Sequence, residues 1–205
     1  MKPIRIAVLV SGHGRGTNLQ AIIDACKDGR IDGEVAVVVG VRPDAPAMER
    51  ASAAGVGTVV LNPKEFASAD DYDSALLDAL TSRRVDLICL AGYMRILGQP
   101  IIDAYRNRIM NTHPALIPMF CGKGMYGMHV HEAAIERGVK FSGCTVHLVD
   151  EDYDTGRSSC RPSCPFWTMT LPKPSQIVSS PRSTRPTSAQ SSSLRREGWR
   201  LLERG

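Results

Sequence analysis

Short apolar runs alternate with amphipathic stretches along the chain up to about residue 150. The first run, residues 4–11, is nearly all apolar and rich in β-branched side chains, which predicts a strand buried on both faces. A glycine-rich turn follows it, and the next segment has the apolar spacing of a helix. Strand, glycine-rich turn and helix in this order open a doubly wound α/β fold.

The alternation of predicted strands and helices continues as far as the last apolar run. We therefore expect an α/β fold with a mostly parallel central sheet and helices on both faces. Further strands are predicted at E-V-A-V-V-V-G-V, G-T-V-V-L, V-D-L-I-C-L-A-G, R-I-M-N-T-H and F-S-G-C-T-V-H-L-V-D. Further helices are predicted at A-P-A-M-E-R-A-S-A-A-G, S-A-D-D-Y-D-S-A-L-L-D-A-L-T-S-R-R, G-Q-P-I-I-D-A-Y-R and H-V-H-E-A-A-I-E-R-G.

Three segments whose residues could bind a ligand or take part in catalysis fall at the carboxyl ends of predicted strands. They are S-G-H-G-R-G-T-N after the first strand, A-G-Y-M-R-I-L after the fourth and N-T-H-P after the fifth. Ligands of open α/β sheets bind at this edge, near the switch in strand order. We therefore expect the three segments to converge on one cleft.

Length and composition are those of one ordinary domain. The chain has 205 residues, is 43% hydrophobic and can bury a core. No apolar run approaches the roughly 18–20 residues of a membrane span, and the first one lacks a signal-peptide cleavage site. We expect a soluble, cytoplasmic protein. Four singly scattered cysteines are predicted to be free thiols in a reducing compartment: Cys26, Cys89, Cys121 and Cys144.

The net charge of +4 is unevenly distributed. Up to Gly156 the chain has 16 Lys and Arg against 19 Asp and Glu, whereas the last 49 residues have 9 against 2. Because the basic character belongs to the tail, we predict no nucleic-acid partner and no membrane partner. Cys160 and Cys164 could form half of a metal site, but no second pair is evident, so no metal is predicted.

The glycine-rich turn, Ser11 to Asn18, is suited to binding a phosphate group. Its three glycines allow a tight turn, and the following helix offers free N–H groups and a positive dipole end. Thr17 and Asn18 can donate hydrogen bonds. No Lys follows the last glycine, so this is not the common nucleotide-binding loop. A purely structural turn is the alternative.

Asn111 and His113 lie two residues apart and would share one face at the end of the fifth strand. An amide can donate to a developing oxyanion, and a nearby imidazole can carry the proton. An acidic residue of the 149–156 loop could meet His113; without one, a structural histidine and a turn asparagine are the favoured interpretation. His147, alone on the sixth strand, is interpreted as structural.

The segment after the fourth strand is open to two interpretations. Met94, Ile96 and Leu97 could line an apolar pocket with Arg95 at its rim, or they could be ordinary core residues.

Four motifs in order give the chain a specific resemblance to a known family. S-G-x-G with N-L-Q-A-I-I, L-A-G-Y-M-R-I-L, N-T-H-P-A-L-I-P and G-C-T-V-H-L-V-D-E-x-Y-D-T-G resemble the phosphoribosylglycinamide formyltransferases. The resemblance covers residues 4–156 and implies a Rossmann-like formyltransferase fold. It also implies formyl transfer from 10-formyltetrahydrofolate to the amine of glycinamide ribonucleotide, in purine synthesis. The resemblance implies no metal, and it leaves the oligomeric state open.

The resemblance also implies roles for individual residues. The catalytic trio would be Asn111, His113 and Asp154, with Asn111 holding the formyl oxygen. Asp154 would orient His113 and favour its cationic form. The substrate phosphate site would comprise Gly16, Thr17 and Asn18, and the pterin pocket Met94, Arg95, Ile96 and Leu97, with Asn111 beside them.

Two departures from the family pattern and two alternatives accompany this interpretation. The first loop is two residues longer than the common form, and M-F-C-G-K-G-M-Y-G-M-H-V-H carries an insertion. A formyltetrahydrofolate deformylase shares the Asn, His and Asp chemistry, but such enzymes normally have an additional N-terminal domain. A phosphate-binding α/β remnant without activity is the second alternative.

The chain changes character after Gly156. Residues 157–205 contain 11 Ser, 6 Pro and 9 basic residues but no Asp, a composition that predicts poor order. When the last base of each codon is joined to the first two of the next, 157–184 can be read as P-I-V-L-Q-A-V-V-P-V-L-D-D-D-T-P-E-T-L-A-D-R-I-L-A-E-E-H, the expected family continuation. We therefore expect a catalytic domain at 1–156, incomplete at its C-terminal end, and a frameshifted tail at 157–205; a genuine basic tail is the alternative.

Overall fold

The secondary structure alternates strictly between strand and helix, as the apolar pattern predicts. A computed structural model describes residues 2–12, 14–139, 142–151 and 154, and within them six strands, five α-helices and a short 3₁₀ turn at Pro63–Glu65. The strands are β1 Ile4–Val10, β2 Gly33–Gly40, β3 Thr58–Val60, β4 Leu87–Ala91, β5 Ile109–His113 and β6 Thr145–Leu148. The helices are α1 Thr17–Lys27, α2 Pro46–Ala53, α3 Ala69–Thr81, α4 Gln99–Ala104 and α5 Met128–Glu136.

The strands form one sheet in the order β3-β2-β1-β4-β5-β6. Every neighbouring pair is parallel except β5 and β6, which are antiparallel. The strand order reverses between β1 and β4, so the loops after these two strands flank the switch point. The expected mostly parallel sheet is confirmed.

Apolar side chains of β1 point alternately into two cores, one on each face of the sheet. Ala7 and Leu9 pack with helices α3 and α4, through residues such as Leu76. Ile6, Val8 and Val10 pack with α1 and α2 on the other face. Burial on both faces explains why this strand is a continuous apolar run rather than an alternating one.

Helix α3 begins where its capping residues predict. The Ser68 side chain accepts a hydrogen bond from the Asp71 backbone N–H, and Asp70 and Asp71 place negative charge at the positive end of the helix dipole. The helix ends at Thr81, so Arg83 lies just beyond the last turn that it was expected to occupy. There the Arg83 guanidinium donates to the carbonyl of Ala79.

Strand β6 is shorter than its sequence pattern predicts. It covers only Thr145–Leu148 and lies at the edge of the sheet, antiparallel to β5. The Thr145 hydroxyl donates to the Ala115 carbonyl and accepts from the Ile117 N–H. These bonds attach the loop after β5 to β6, which fixes where that loop leaves the sheet.

Two composition-based expectations can be compared with this part of the chain. The four cysteines within it, at 26, 89, 121 and 144, are free thiols. Burial raises the pKa of Cys89 to about 11, so this thiol stays protonated at neutral pH. Among the residues described, no helix has both the length and the apolar character needed to cross a membrane. Cys160, Cys164 and the rest of the predicted tail lie outside the described residues.

The packing of the core on the α3 face predicts that two adjacent leucines contribute very differently to stability. Leu76 is fully buried, whereas Leu77 is only partly buried at the edge of the same core. We expect Leu76→Ala to lower the free energy of unfolding by about 2–5 kcal/mol, and Leu77→Ala by clearly less. Both changes alter helix propensity equally, so chemical denaturation of the two variants isolates burial. Equal losses would contradict the assigned packing.

Candidate active site

The three segments expected to converge follow strands that are neighbours in the sheet. Strands β1, β4 and β5 lie side by side and run parallel, so the loops after them leave from the same edge. Two of these loops flank the switch point. The candidate site lies at this edge, and β6 borders it beside β5.

Strand β5 presents Asn111 and His113 on one face, and β6 places His147 against them. In the antiparallel register Asn111 is directly opposite His147. The Asn111 Nδ2 atom lies 3.2 Å from His147 Nε2. Both histidines are almost completely buried, with exposed fractions of 3% for His113 and 2% for His147. Such burial requires partners for all four ring nitrogens.

Asp154 supplies a carboxylate that the two histidines share. Its Oδ2 lies 3.5 Å from His113 Nδ1, and its Oδ1 lies 3.3 Å from His147 Nε2. The backbone N–H of Gly122 donates to Oδ2 at 3.0 Å. The residue itself has a left-handed backbone, with φ of 54°, which is uncommon outside glycine. The structure thus brings together the three residues of the predicted trio.

Both ring nitrogens of His113 face hydrogen-bond acceptors. Its Nε2 lies 2.7 Å from the backbone carbonyl oxygen of Phe120, which can only accept, so Nε2 carries a proton. Its Nδ1 faces the Asp154 carboxylate, another acceptor. A substrate atom that takes a proton from Nε2 must replace the Phe120 carbonyl.

His147 fixes the orientation of the Asn111 amide. Its Nδ1 lies 3.0 Å from the Leu148 carbonyl oxygen and therefore carries a proton. Its Nε2 takes a hydrogen bond from the Asn111 amide and also lies 3.3 Å from Asp154 Oδ1. The contact thus decides which side of the Asn111 amide points towards His147, in keeping with the structural interpretation of this histidine.

The predicted phosphate-binding residues lie at the start of α1. Gly16 is the N-cap residue with φ of 70°, and no side chain caps the helix. A Cβ added at Gly16 would lie 2.8 Å from the Cα of Ala47 in α2, so only glycine fits this position. Thr17 is exposed and Asn18 is half-buried. The Arg50 guanidinium donates to the Arg15 carbonyl at 2.7 Å, which attaches the loop to α2.

The residues predicted to form an apolar pocket separate into two groups. Leu97 is buried in the core beside α3 and α4, as the alternative interpretation expects. Met94 and Ile96 are exposed by 54% and 62%. The Arg95 guanidinium lies 4.6 Å from the centre of the Tyr72 ring. Met94 and Ile96 therefore remain available to a ligand, whereas Leu97 supports the loop from below.

Among the described residues, no group of three or more His, Cys, Asp or Glu side chains could hold a metal ion. His129 and His131, whose spacing could serve a metal, lie on α5, where the His129 ring contacts Tyr126. His13 lies outside the described residues, as do Cys160 and Cys164.

Comparison with known proteins assigns this chain to a family. The family model for formyl transferases matches residues 4–170, most of the chain. The chain belongs to the formyl transferase family. The resemblance drawn from the sequence motifs is confirmed at this level.

Three relatives carry more specific names. A trifunctional purine biosynthetic protein, adenosine-3, of Drosophila melanogaster is 46% identical over 154 residues, 74% of this chain and 11% of that protein. Phosphoribosylglycinamide formyltransferase of Escherichia coli is 40% identical over 153 residues, 75% of this chain and 69% of the other. A crystal structure of glycinamide ribonucleotide transformylase 1 from Symbiobacterium toebii is 48% identical, covers 74% and 68% of the two chains, and has a TM-score of 0.68.

The close approach of Gly16 to Ala47 predicts that one methyl group added at Gly16 lowers the stability of the protein. We expect Gly16→Ala to lower the free energy of unfolding by about 1–3 kcal/mol, because the left-handed backbone and the contact with α2 both disfavour a Cβ. Gly14→Ala is the matched control, since no atom lies within 4 Å of the Cβ that it would add. Thermal unfolding of both variants measures the difference. Similar stability of the two variants would show that α2 does not restrain the loop.

Proposed function

We propose that the protein transfers a formyl group from 10-formyltetrahydrofolate to the amine of glycinamide ribonucleotide, a step of purine biosynthesis leading to IMP. The observation that carries the proposal is the group of Asn111, buried His113 and Asp154 at the sheet edge. The names of the relatives support the choice of substrates. We also propose that the protein acts in the cytoplasm.

In the proposed reaction the substrate amine attacks the formyl carbon. A new carbon–nitrogen bond forms, and the formyl oxygen becomes an oxyanion. The Asn111 amide donates to this oxygen, and the imidazolium of His113 adds positive charge beside it. The carbon–nitrogen bond to tetrahydrofolate then breaks, and the proton lost by the amine ends on the folate nitrogen. His113 is positioned to carry that proton.

Asp154 keeps His113 ready for both roles. Its Oδ2 accepts a hydrogen bond from the Gly122 N–H and faces His113 Nδ1, which fixes the orientation of the imidazole ring. In the described conformation the Phe120 carbonyl accepts from Nε2. The substrate takes over this hydrogen bond as it binds, so the imidazolium never lacks a partner.

The two substrates are assigned to the two remaining loops of the same edge. Gly16, Thr17 and Asn18 would bind the phosphate of the ribonucleotide through the N-terminal N–H groups of α1. The segment Met94, Arg95, Ile96 and Leu97 would bind the pterin ring, with backbone groups contacting the ring edges and Asn111 beside the formyl group. The folate is a cosubstrate, and no metal has a part in the proposed reaction.

The catalytic roles can be tested by single substitutions. We expect His113→Ala and Asp154→Ala to lower kcat for formyl transfer by about a hundredfold or more, the range for loss of a positioned acid or base. His129→Ala is the control, because His129 is exposed and outside the trio. Turnover is followed by the appearance of tetrahydrofolate. Near-normal rates for the two site variants would exclude the proposed roles.

One assay separates the proposed transferase from a deformylase. A transferase releases tetrahydrofolate only when glycinamide ribonucleotide is present, whereas a deformylase releases formate without it. Formate release in the absence of the ribonucleotide would favour the deformylase. Binding of both substrates without turnover would favour the inactive remnant.

We further propose that the tail at 157–205 results from a one-base shift of the reading frame after Gly156. The support is the peptide read in the shifted frame, in which Trp167 and Met169, whose codons both end in G, give two of three consecutive Asp.

Sequencing the coding DNA across the codons for Thr155 to Ser159, from the original source, tests the frameshift. We expect one base more than the sequence implies. A gene confirmed without change would establish the basic tail as genuine. The frame-restored chain is then compared with the 205-residue chain in the transfer assay, and we expect higher activity from the restored one.

A further inference from the structure

Helix α3 places two consecutive buried side chains, Tyr72 and Asp73, against the loop that follows β4. This loop, residues 92–98, is called the β4 loop. Tyr72 is 1% exposed and Asp73 is 8% exposed. A buried carboxylate is uncommon without a specific partner, so the groups around Asp73 must compensate for its burial.

Tyr72 holds the first half of the β4 loop. Its hydroxyl lies 2.9 Å from the hydroxyl of Tyr93, and both rings are buried. Burial raises the pKa of both phenols, so each stays neutral and either can donate to the other. On the far side, the Arg95 guanidinium stacks over the Tyr72 ring. One side chain thus fixes two positions of the loop.

Asp73 holds the last residue of the β4 loop. Its carboxylate lies against the backbone of Gly98, whose N–H favours the ionised form. Gly98 is the N-cap residue of α4, so Asp73 on α3 contacts the point where the next helix begins. The fit is close: a Cβ added at Gly98 would lie 1.8 Å from Asp73 Oδ2.

The electrostatics of Asp73 also connect it to the loop. Burial raises the pKa of its carboxyl group, while the Gly98 N–H and the charge of Arg95 oppose that rise. The two groups that favour the ionised form are therefore both residues of the β4 loop. A displaced loop would leave a buried carboxylate without compensation.

These anchors leave one part of the β4 loop open. Tyr93 and Leu97 are buried in the core, and Gly98 is held by Asp73. Between them, the apolar side chains of Met94 and Ile96 are exposed. A backbone fixed at both ends with exposed apolar side chains between is suited to a flat ring ligand, because little ordering remains to be done on binding.

We propose that Tyr72 and Asp73 are positioning residues that fix the shape of the β4 loop for the pterin ring of the formyl donor. The inference rests on the proposed function, since the ring is that of the proposed cosubstrate. Neither residue touches the reacting atoms in this assignment. Their effect is therefore on the affinity for the donor rather than on the chemical step.

The main experiment uses the 205-residue chain with three substitutions on α3. Asp73→Ala removes the acceptor for the Gly98 N–H, and Asp73→Asn keeps an oxygen acceptor of nearly the same size. Asp78→Ala is the matched control, because Asp78 is exposed on the same helix. The Michaelis constants for both substrates, kcat and the exchange rate of the Gly98 amide hydrogen are measured for each.

We expect Asp73→Ala to raise KM for 10-formyltetrahydrofolate about tenfold, with KM for glycinamide ribonucleotide and kcat nearly unchanged. The exchange of the Gly98 amide hydrogen should accelerate in the same variant. Asp73→Asn should restore most of the donor affinity, and Asp78→Ala should behave as the unmodified chain. Equal changes in both Michaelis constants, or no change in amide exchange, would overturn the proposal.

A second variant and a binding measurement keep the inference separate from the proposed function. Tyr93→Phe removes one hydroxyl of the pair and should weaken donor binding in the same direction. If the unmodified chain transfers no formyl group, the proposed function fails, and titration with tetrahydrofolate alone decides the positioning proposal. Binding that Asp73→Ala weakens would support it; binding that the substitution leaves unchanged, or no binding, would refute it.

Discussion

The carboxylate of Asp154 lies between two buried histidines, and the arrangement of the site depends on it. Each of its oxygens faces a different ring, His113 on β5 and His147 on β6. Without this carboxylate, the Nδ1 atom of the buried His113 ring would lose the partner that it faces. The antiparallel pairing of β5 with β6 is what brings the rings close enough to share one acid. The only antiparallel pair among the described strands thus carries the proposed chemistry.

The central sheet explains why the remaining groups are nearby. Strands β1, β4 and β5 are neighbours, so the loop before α1, the β4 loop and the end of β5 leave from one edge. Two of these loops are attached to helices, since Gly16 contacts α2 and Gly98 contacts Asp73 of α3. The positions of candidate binding groups are therefore determined by helices that contribute no reacting atom. Rigid attachment of this kind limits the ordering that substrate binding requires.

Much of the fold could be predicted from the sequence because its signals are local. The apolar run at 4–11 and the capping residue Ser68 each determine an element through neighbouring residues, and both elements are present. The pairing of Asn111 with His113 could also be predicted, since residues two apart share a strand face. His147 could not be assigned in this way, because its partners come from β5 and from the chain after β6. The contact of His147 with Asn111 could have been predicted only by assuming the register between β5 and β6.

Other parts of the site leave no mark in the sequence. The acceptor for His113 Nε2 is the backbone carbonyl of Phe120, and any residue has such a carbonyl. Asp73 looks like one more acidic residue of a helix rich in them, and only burial distinguishes it. The apolar letters at 94–97 could not reveal that Leu97 is a support and Met94 a free surface. Tertiary packing decides which of these side chains are buried and which groups come into contact.

The direction of β1 has a consequence for how the domain can be joined to others. This strand lies inside the sheet and begins at the edge opposite to the candidate site, because its carboxyl end leads into the loop before α1. A polypeptide attached ahead of Lys2 would therefore emerge at the edge of the sheet opposite to the candidate catalytic residues. An affinity tag placed there should leave the candidate site free.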